Sequence, residues 1–274
     1  MVDTELVIAF LAGIVQGIVE WLPVSSQGNL AVFLSAVGTD PEIALQLALF
    51  LQLGTTLSAA TYYRADIATA ATAVPGWRLR GAYDADNALV SYIVVACLMT
   101  GIVGIPLYIV AVDFASELTG GAFVAIIGVL LLITGGIQIA SESVSVALNE
   151  TPTFLDSVLV GAVQGIAILP GISRSGITTG ALLFRQYDPP AAFRLSFLLS
   201  IPASMGGAAL TVVGAGGLPG ISPTAAILAL AVSAVVGYLT IDALMRVVER
   251  IPFWLVCFGL GTLALVGGGL AIVL

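Results

Sequence analysis

The chain has 274 residues, of which 59% are hydrophobic and only 9% are charged. Soluble proteins carry about 25% charged residues, so this composition excludes a soluble globular protein and indicates an integral membrane protein. The basic residues are all arginines, histidine and lysine are absent, and the net charge is -8. These features argue against a nucleic-acid partner and exclude imidazole catalysis, histidine metal ligands and Schiff-base chemistry.

Six uncharged stretches are long enough to cross a bilayer, which needs about 20 residues. They are predicted as membrane spans at residues 43–63, 88–112, 118–141, 195–213, 223–241 and 251–274. Two further apolar segments, 6–37 and 157–187, are interrupted by polar breaks at residues 22–28 and 170–176. Each interrupted segment is therefore predicted to form two short helices around its break.

The two interrupted segments resemble each other at a constant offset of 148 residues. The pattern Gly-x-x-Gln-Gly-Ile occurs at 13–18 and again at 161–166, and residues 25–28 match residues 173–176 in the same register. The sequence thus predicts two homologous halves, residues 1–150 and 151–274, within one membrane domain. Paired, broken hydrophobic segments at equivalent positions are typical of membrane proteins with a binding site near the bilayer midplane.

The arginines outside the breaks indicate how the two segments enter the membrane, because basic residues near span ends favour the cytoplasm. If both broken segments are re-entrant hairpins, all of these arginines fall on one side, whereas spanning segments would divide them. The fold is therefore predicted to be an all-α polytopic membrane protein with an inverted-topology repeat, in which each half has a re-entrant hairpin and three spans. The arginines placed on the cytoplasmic side are Arg64, Arg78, Arg80, Arg185, Arg194, Arg246 and Arg250.

Glu20 and Arg174 are the only ionisable residues deep within the apolar stretches. Each costs about 2.5 to 3.5 kcal/mol at the centre of a membrane helix, so a compensating interaction is expected. A buried ion pair between the two would supply it. The polar residues near them offer more hydrogen-bonding capacity than one pair uses, which favours a functional site: Gln16, Ser25, Ser26, Gln27, Asn29, Ser173, Ser175, Thr178 and Thr179.

The residue types in the two breaks point to phosphate chemistry. The second break opens a helix with glycines, hydroxyls and Arg174, and backbone N–H groups at a helix start together with a guanidinium suit a phosphate group. Gln16 and Glu20 lie four residues apart on one helical face, where they could hold a divalent cation or accept a proton. Ser25 and Ser26 follow closely. A carboxylate, a hydroxyl and an anion-binding arginine together indicate phosphoryl transfer.

These motifs resemble those of a known family. Residues 16–28 are similar to the (E/Q)xxxE and FLPxSSTGH signatures of the undecaprenyl pyrophosphate phosphatase, or bacitracin-resistance, family. Residues 170–178 fit its PGxSRSxxT motif at every specified position, and residues 52–54 and 197–203 are similar to further family blocks. The resemblance runs nearly end to end.

The resemblance implies an enzyme of the plasma membrane that removes the terminal phosphate of a long polyprenyl diphosphate, of undecaprenyl or dolichyl type. Such an enzyme recycles the lipid carrier of cell-surface glycan synthesis and uses Mg²⁺ or Ca²⁺. The resemblance further implies that Glu20 with Gln16 engages metal or water and that Ser26 is the nucleophile. It assigns the diphosphate clamp to Arg174, Ser173, Ser175 and Thr178.

Two positions depart from the family pattern. Gln16 stands where the family has its first carboxylate, and Asn29 stands where it has a histidine, so a mechanism with an imidazole does not apply. Asn29 is expected to orient Ser26, a water or a phosphate oxygen, or else to cap the second helix of the hairpin. Ser25 is also expected to bind substrate.

Three points stay open at the level of sequence. The nucleophile is either Ser26 or a water that Ser26 holds. The same inverted repeat and midplane anion site could belong to a transporter that moves a lipid phosphate between leaflets without cleaving it, whereas a structural or receptor protein would explain neither Arg174 nor the hydroxyl cluster. A homodimer is the candidate assembly.

Overall fold

A computed structural model of the protein describes residues 2–84, 87–142, 149, 151–248 and 252–273, so the predicted cytoplasmic Arg250 lies outside the described residues. The described chain is helical, and its one β-type contact is an isolated bridge between Asn149 and Tyr187. The first half contains the helices α1 Val2–Val19, α2 Ser26–Ala36, α3 Pro41–Tyr62, α4 Arg64–Ala73, α5 Ala88–Ser116 and α6 Gly120–Glu142. The second contains α7 Phe154–Ile166, α8 Arg174–Phe184, α9 Pro189–Gly214, α10 Pro223–Val248 and α11 Phe253–Val273.

Six helices are long and apolar enough to cross a membrane, namely α3, α5, α6, α9, α10 and α11. Each of them overlaps one of the six predicted spans, so the prediction of six long apolar helices is confirmed. Large apolar side chains point outward from them, including Leu98 and Ile102 of α5 and Val213 of α9. Apolar surface on this scale is covered by lipid in a membrane protein, since a soluble monomer rarely exposes it. The protein is a multi-pass integral membrane protein.

The ends of several helices differ from the prediction. Helix α9 begins at Pro189, ahead of the predicted span, because the Asp188 side chain accepts a hydrogen bond from the Ala191 N–H at 2.7 Å and caps the helix. Helix α10 continues through Asp242 to Val248. Four of the six predicted spans stop just before a charged residue, but a helical backbone continues past the apolar layer. Helix α4, which has no buried residue, was not predicted.

Each broken segment forms a helical hairpin whose two helices have their outer ends side by side. At the base of the second hairpin, the Asp156 carboxylate in the first turn of α7 accepts hydrogen bonds from Arg185 and from the Tyr187 hydroxyl, both just after α8. At the base of the first hairpin, Glu5 of α1 and Thr39, which follows α2, line one cavity. The breaks thus form the tips of the two hairpins.

The bases of the two hairpins lie at opposite ends of the helix bundle. Helix α9 begins beside the second hairpin, where Arg194 forms an ion pair with Asp66 of α4. After α9 ends, the Ser222 N–H donates to Glu5 Oε1 at 2.8 Å at the base of the first hairpin. Which end faces the cytoplasm stays a prediction, as do the re-entrant insertion and the inverted repeat.

The two halves pack against each other reciprocally. Helix α1 lies along α10 and α7 lies along α5, while α3 contacts α9 and α6 contacts α11. Glycines allow the hairpins to approach the spans closely. A Cβ atom at Gly13 would lie 2.7 Å from the Ala229 carbonyl oxygen, and one at Gly165 would lie 2.7 Å from Val103 Cβ. The hairpins are therefore fixed in the bundle, and their tips have defined positions.

Candidate active site

The tip of the first hairpin carries a strained serine. Ser25 caps α2 and has a φ of 58°, in the left-handed region that costs a residue with a side chain about 1 to 2 kcal/mol. Its Oγ accepts the N–H of Gly28 at 3.2 Å and the N–H of Gly171, in the tip of the second hairpin, at 3.0 Å. The two tips are thus in direct contact, and these hydrogen bonds hold Ser25 in its conformation.

The Glu20 carboxylate, which follows α1 directly, is buried, and both of its oxygens have polar partners. Its Oε2 accepts hydrogen bonds from Ser26 Oγ at 2.6 Å and from Gln16 Nε2 at 2.7 Å. Its Oε1 forms an ion pair with Arg174. Each charge reduces the free-energy cost of burying the other. Such pairing is common among charged groups inside membranes. Ser26 therefore has its hydroxyl proton directed at a carboxylate.

Arg174 is the first residue of α8 and is held from three sides. Its Nη2 contacts Glu20, while its Nη1 donates to the Ser204 hydroxyl and, at 3.4 Å, to the Ser200 carbonyl oxygen. Ser204 in turn donates to Gln52 Oε1 at 3.2 Å. These contacts orient the guanidinium beside the N-terminus of α8, where backbone N–H groups and the helix dipole also favour an anion.

A cavity lies at the hairpin tips, and most of the predicted site residues line it. Those in its wall are Glu20, Ser25, Ser26, Ser173, Arg174 and Ser175. Ser173 also caps α8, since its Oγ accepts the Gly176 N–H at 3.2 Å. Residues from breaks 148 positions apart in the sequence therefore line one cavity.

The other three predicted residues lie behind the cavity wall. Gln16 is fully buried and contacts Glu20. Asn29 Nδ2 donates to the carbonyl oxygens of Val24 at 2.7 Å and Ser25 at 2.9 Å. The Thr178 hydroxyl donates to the carbonyl oxygen of Arg174 at 2.8 Å. In this structure these three side chains support the residues that face the cavity.

The cavity wall also contains polar residues to which the sequence analysis gave no role: Gln52, Thr100, Gln164 and Ser204. Three of them lie within membrane spans, on α3, α5 and α9. An isolated polar residue within a span indicates a position that faces the protein interior or a cavity, so the sequence does contain a signal for them. Gln164 is the residue that the predicted repeat pairs with Gln16. The sequence does not show that these four residues line one cavity, because each of them lies on a different helix.

Residues 9–263 match the family described as "Bacitracin resistance protein BacA". The chain belongs to this family. Similar proteins named undecaprenyl-diphosphatase occur in Haloarcula marismortui, 46% identical over 96% of this chain and 97% of that protein, and in Methanococcoides burtonii, 38% identical over 93% and 96%. One from Methanopyrus kandleri is 36% identical over 97% of both chains. The predicted family is confirmed.

For this member of the bacitracin-resistance protein family, the predicted divalent cation is compatible with the donor atoms present. Among the described residues, no group of three His, Cys, Asp or Glu could hold a metal ion. Glu20 offers a carboxylate in the cavity wall, whereas Gln16 lies behind the wall and donates its Nε2 hydrogen to that carboxylate. Mg²⁺ is commonly bound by one or two carboxylates together with substrate phosphates. The Glu20 carboxylate therefore fits a hard cation that takes its remaining ligands from a diphosphate.

Proposed function

We propose that this protein hydrolyses a long-chain polyprenyl diphosphate, of undecaprenyl or dolichyl type, to the monophosphate and inorganic phosphate. The observation that carries the proposal is the contact of Glu20 with both Ser26 and Arg174 in one cavity, which joins a base, a nucleophile and an anion-binding group. Membership of the family and the name of the relatives support it. The reaction would recycle a lipid carrier of cell-surface glycan synthesis at the plasma membrane, and a homodimer remains a prediction.

Arg174 and the start of α8 bind the diphosphate in this proposal. A guanidinium has more N–H donors than the contacts to Glu20, Ser204 and Ser200 use, so some stay free for phosphate oxygens. The hydroxyls of Ser173 and Ser175 lie in the same wall. Positive groups that are already fixed stabilise charge on the transferring phosphoryl group without reorganisation during the reaction.

Ser26 is the nucleophile and Glu20 the base. As Ser26 Oγ bonds to the terminal phosphorus, its proton passes to Glu20 Oε2, which already accepts it at 2.6 Å. The bond from that phosphorus to the bridging oxygen breaks, and the lipid monophosphate leaves with the bridging oxygen. Water then cleaves the phosphoserine and releases inorganic phosphate. Direct attack by a water that Ser26 holds would use the same base.

A bound Mg²⁺ or Ca²⁺, held by Glu20 and the diphosphate itself, would neutralise negative charge on the phosphate groups. Among the chain's own groups, Asn29 holds the turn that presents Ser26, and Ser204 with Gln52 orients Arg174. These supporting contacts keep the reacting groups in a geometry suited to attack.

The test is phosphate release from a polyprenyl diphosphate by the purified protein in detergent, with and without a chelator. A parallel assay in vesicles measures movement of the lipid between leaflets. We expect release of phosphate that the chelator reduces. Movement of intact diphosphate without release would contradict the proposal and support the transporter hypothesis, which the naming of the relatives as diphosphatases does not favour.

A further inference from the structure

Thr134 lies on α6 and is fully buried, outside the wall of the catalytic cavity. Its hydroxyl makes two hydrogen bonds with the tip of the second hairpin. It donates to the Gly171 carbonyl oxygen at 2.9 Å and accepts from the Ser173 N–H at 3.2 Å. One side chain of a membrane span therefore bridges the turn that directly precedes Arg174.

The direction of the Thr134 hydroxyl differs from that of other threonines in the spans. Threonine hydroxyls in helices often donate to a carbonyl oxygen three or four residues earlier in the same helix. Thr56, Thr211 and Thr240 do so, at 2.8, 2.7 and 2.8 Å. The Thr134 hydroxyl donates its hydrogen to a different part of the chain. This contact therefore stabilises the hairpin tip rather than α6 itself.

The turn that Thr134 bridges packs directly against α6. Gly171 has a φ of 107°, a conformation that a residue with a side chain rarely adopts. A Cβ atom there would lie 2.6 Å from Leu130 Cβ and 2.8 Å from the Ile127 carbonyl oxygen, both on α6. The glycine thus lets the tip approach α6 closely enough for one hydroxyl to contact two backbone groups.

The backbone groups that Thr134 contacts determine the start of α8. Ser173 is the N-cap of that helix, since its Oγ accepts the Gly176 N–H at 3.2 Å and its carbonyl oxygen accepts the Ile177 N–H at 2.9 Å. Arg174 is the next residue. The position of Ser173 therefore determines where the guanidinium and the first N–H groups of α8 point.

Helix α6 also contacts the tip of the first hairpin. Gln138 lies one helical turn after Thr134, and its Nε2 donates to the Pro23 carbonyl oxygen. Pro23 lies between Glu20 and Ser26, the proposed base and nucleophile. One helix thus contacts both the segment that carries the base and the nucleophile and the segment that carries the arginine.

We infer that Thr134 is a positioning residue for the hydrolysis, an inference that rests on the proposed function. Its contacts with Gly171 and Ser173 keep the start of α8, with Arg174, where it binds the phosphate groups. Without the hydroxyl, the two backbone groups would be buried without a partner, which is unfavourable. The turn would shift toward new partners and displace Arg174 from its position beside the nucleophile.

The test measures kcat and KM for phosphate release by two variants of Thr134, at a temperature where their melting curves show both to be folded. Thr134→Val keeps the shape of the side chain but removes the hydroxyl. Its kcat should fall about 10- to 100-fold, the effect of displacing a group in the site by about 1 Å, with KM within about threefold. Thr134→Ser keeps the hydroxyl and should retain kcat within about threefold of the wild type.

The matched control is Thr211→Val. Thr211 is a fully buried threonine of α9, outside the cavity wall, whose hydroxyl donates to the Ala208 carbonyl oxygen of its own helix. This variant loses a buried hydroxyl that contacts neither hairpin tip, so kcat and KM should match the wild type. If Thr134→Val does not fold, Thr134→Cys takes its place and should also lower kcat, because a thiol is only a weak donor and acceptor.

Three results would overturn the inference. They are a kcat for Thr134→Val, or for Thr134→Cys in its place, equal to that of Thr211→Val, a kcat for Thr134→Ser as low as that for Thr134→Val, and a raised KM with an unchanged kcat in Thr134→Val. The second result would mean that packing of the methyl group matters rather than the hydroxyl. A wild type that releases no phosphate would instead contradict the proposed function.

Discussion

Ser26 Oγ lies 2.6 Å from Glu20 Oε2, across the break that separates α1 from α2. The neighbouring Ser25 has a different environment, because its Oγ accepts two backbone N–H groups at the contact between the hairpin tips. The adjacent hydroxyl groups of Ser25 and Ser26 thus have different roles. Ser26 is directed at a base, and Ser25 joins the two halves of the chain.

Alanine substitutions of the two serines should therefore have different effects. Ser26→Ala should abolish turnover and leave the melting temperature nearly unchanged, because it removes the nucleophile and one partly buried hydrogen bond. Ser25→Ala should lower stability by about 1 to 3 kcal/mol, because buried backbone donors lose their acceptor. Phosphate release and thermal melting of both variants check this. Equal stability losses would contradict the division of roles.

Arg174→Lys should lower kcat about 100-fold or more, as expected when a positioned donor to the transition state is lost. The planar guanidinium contacts Glu20, Ser204 and Ser200 with some of its N–H donors and keeps the remaining donors for phosphate oxygens. A lysine ammonium cannot reproduce this arrangement of donors. Arg194→Lys is the matched control, since Arg194 is exposed and pairs with Asp66 far from the cavity. Activity of Arg174→Lys near that of the control would show a structural role for Arg174.

Asn29→Ala should lower the melting temperature and reduce turnover less than Glu20→Gln does. Its Nδ2 holds two carbonyl oxygens of the turn before α2, so its loss loosens the presentation of Ser26 but leaves the base and the arginine in place. Glu20→Gln keeps the shape of the side chain but cannot accept the proton. Both variants are compared for phosphate release and melting. A loss in Asn29→Ala as complete as in Glu20→Gln would contradict this order.

Much of the site was predictable from the sequence because buried charge is costly in a membrane. Glu20 and Arg174 had to be compensated, and the matching breaks at an offset of 148 residues indicated that the two would meet. The structure places them in contact. The six spans were predictable for a similar reason, since each is a long apolar stretch without a charged residue.

The other contacts of the site depend on packing between helices, which no local sequence pattern encodes. Ser204 of α9 contacts Arg174, and Gln52 of α3 contacts Ser204 in turn. Thr100 of α5 contacts Gln164 in the same way. A polar residue in a span indicates an inward-facing position but not its partner. The supporting positions of Gln16 and Asn29 likewise depend on how the tip of the first hairpin is folded.

The sidedness of the bundle is testable by labelling single cysteines introduced at exposed positions, in a background where Cys97 and Cys257 are replaced by alanine. Because arginine-rich loops favour the cytoplasm, Arg78→Cys and Asp188→Cys should resist a membrane-impermeant thiol reagent in intact cells. Glu117→Cys, in the connection between α5 and α6, should react. Labelling of the first two from opposite sides would exclude a re-entrant second hairpin.

The most direct test of the catalytic assignment is simultaneous measurement of both products from a polyprenyl diphosphate, for the wild type and for Glu20→Gln purified in the same way. The proposed chemistry predicts that the wild type forms lipid monophosphate and inorganic phosphate in equal amounts, and that Glu20→Gln, still folded by its melting curve, forms neither. Equal rates for the two proteins, or no products from the wild type, would contradict it.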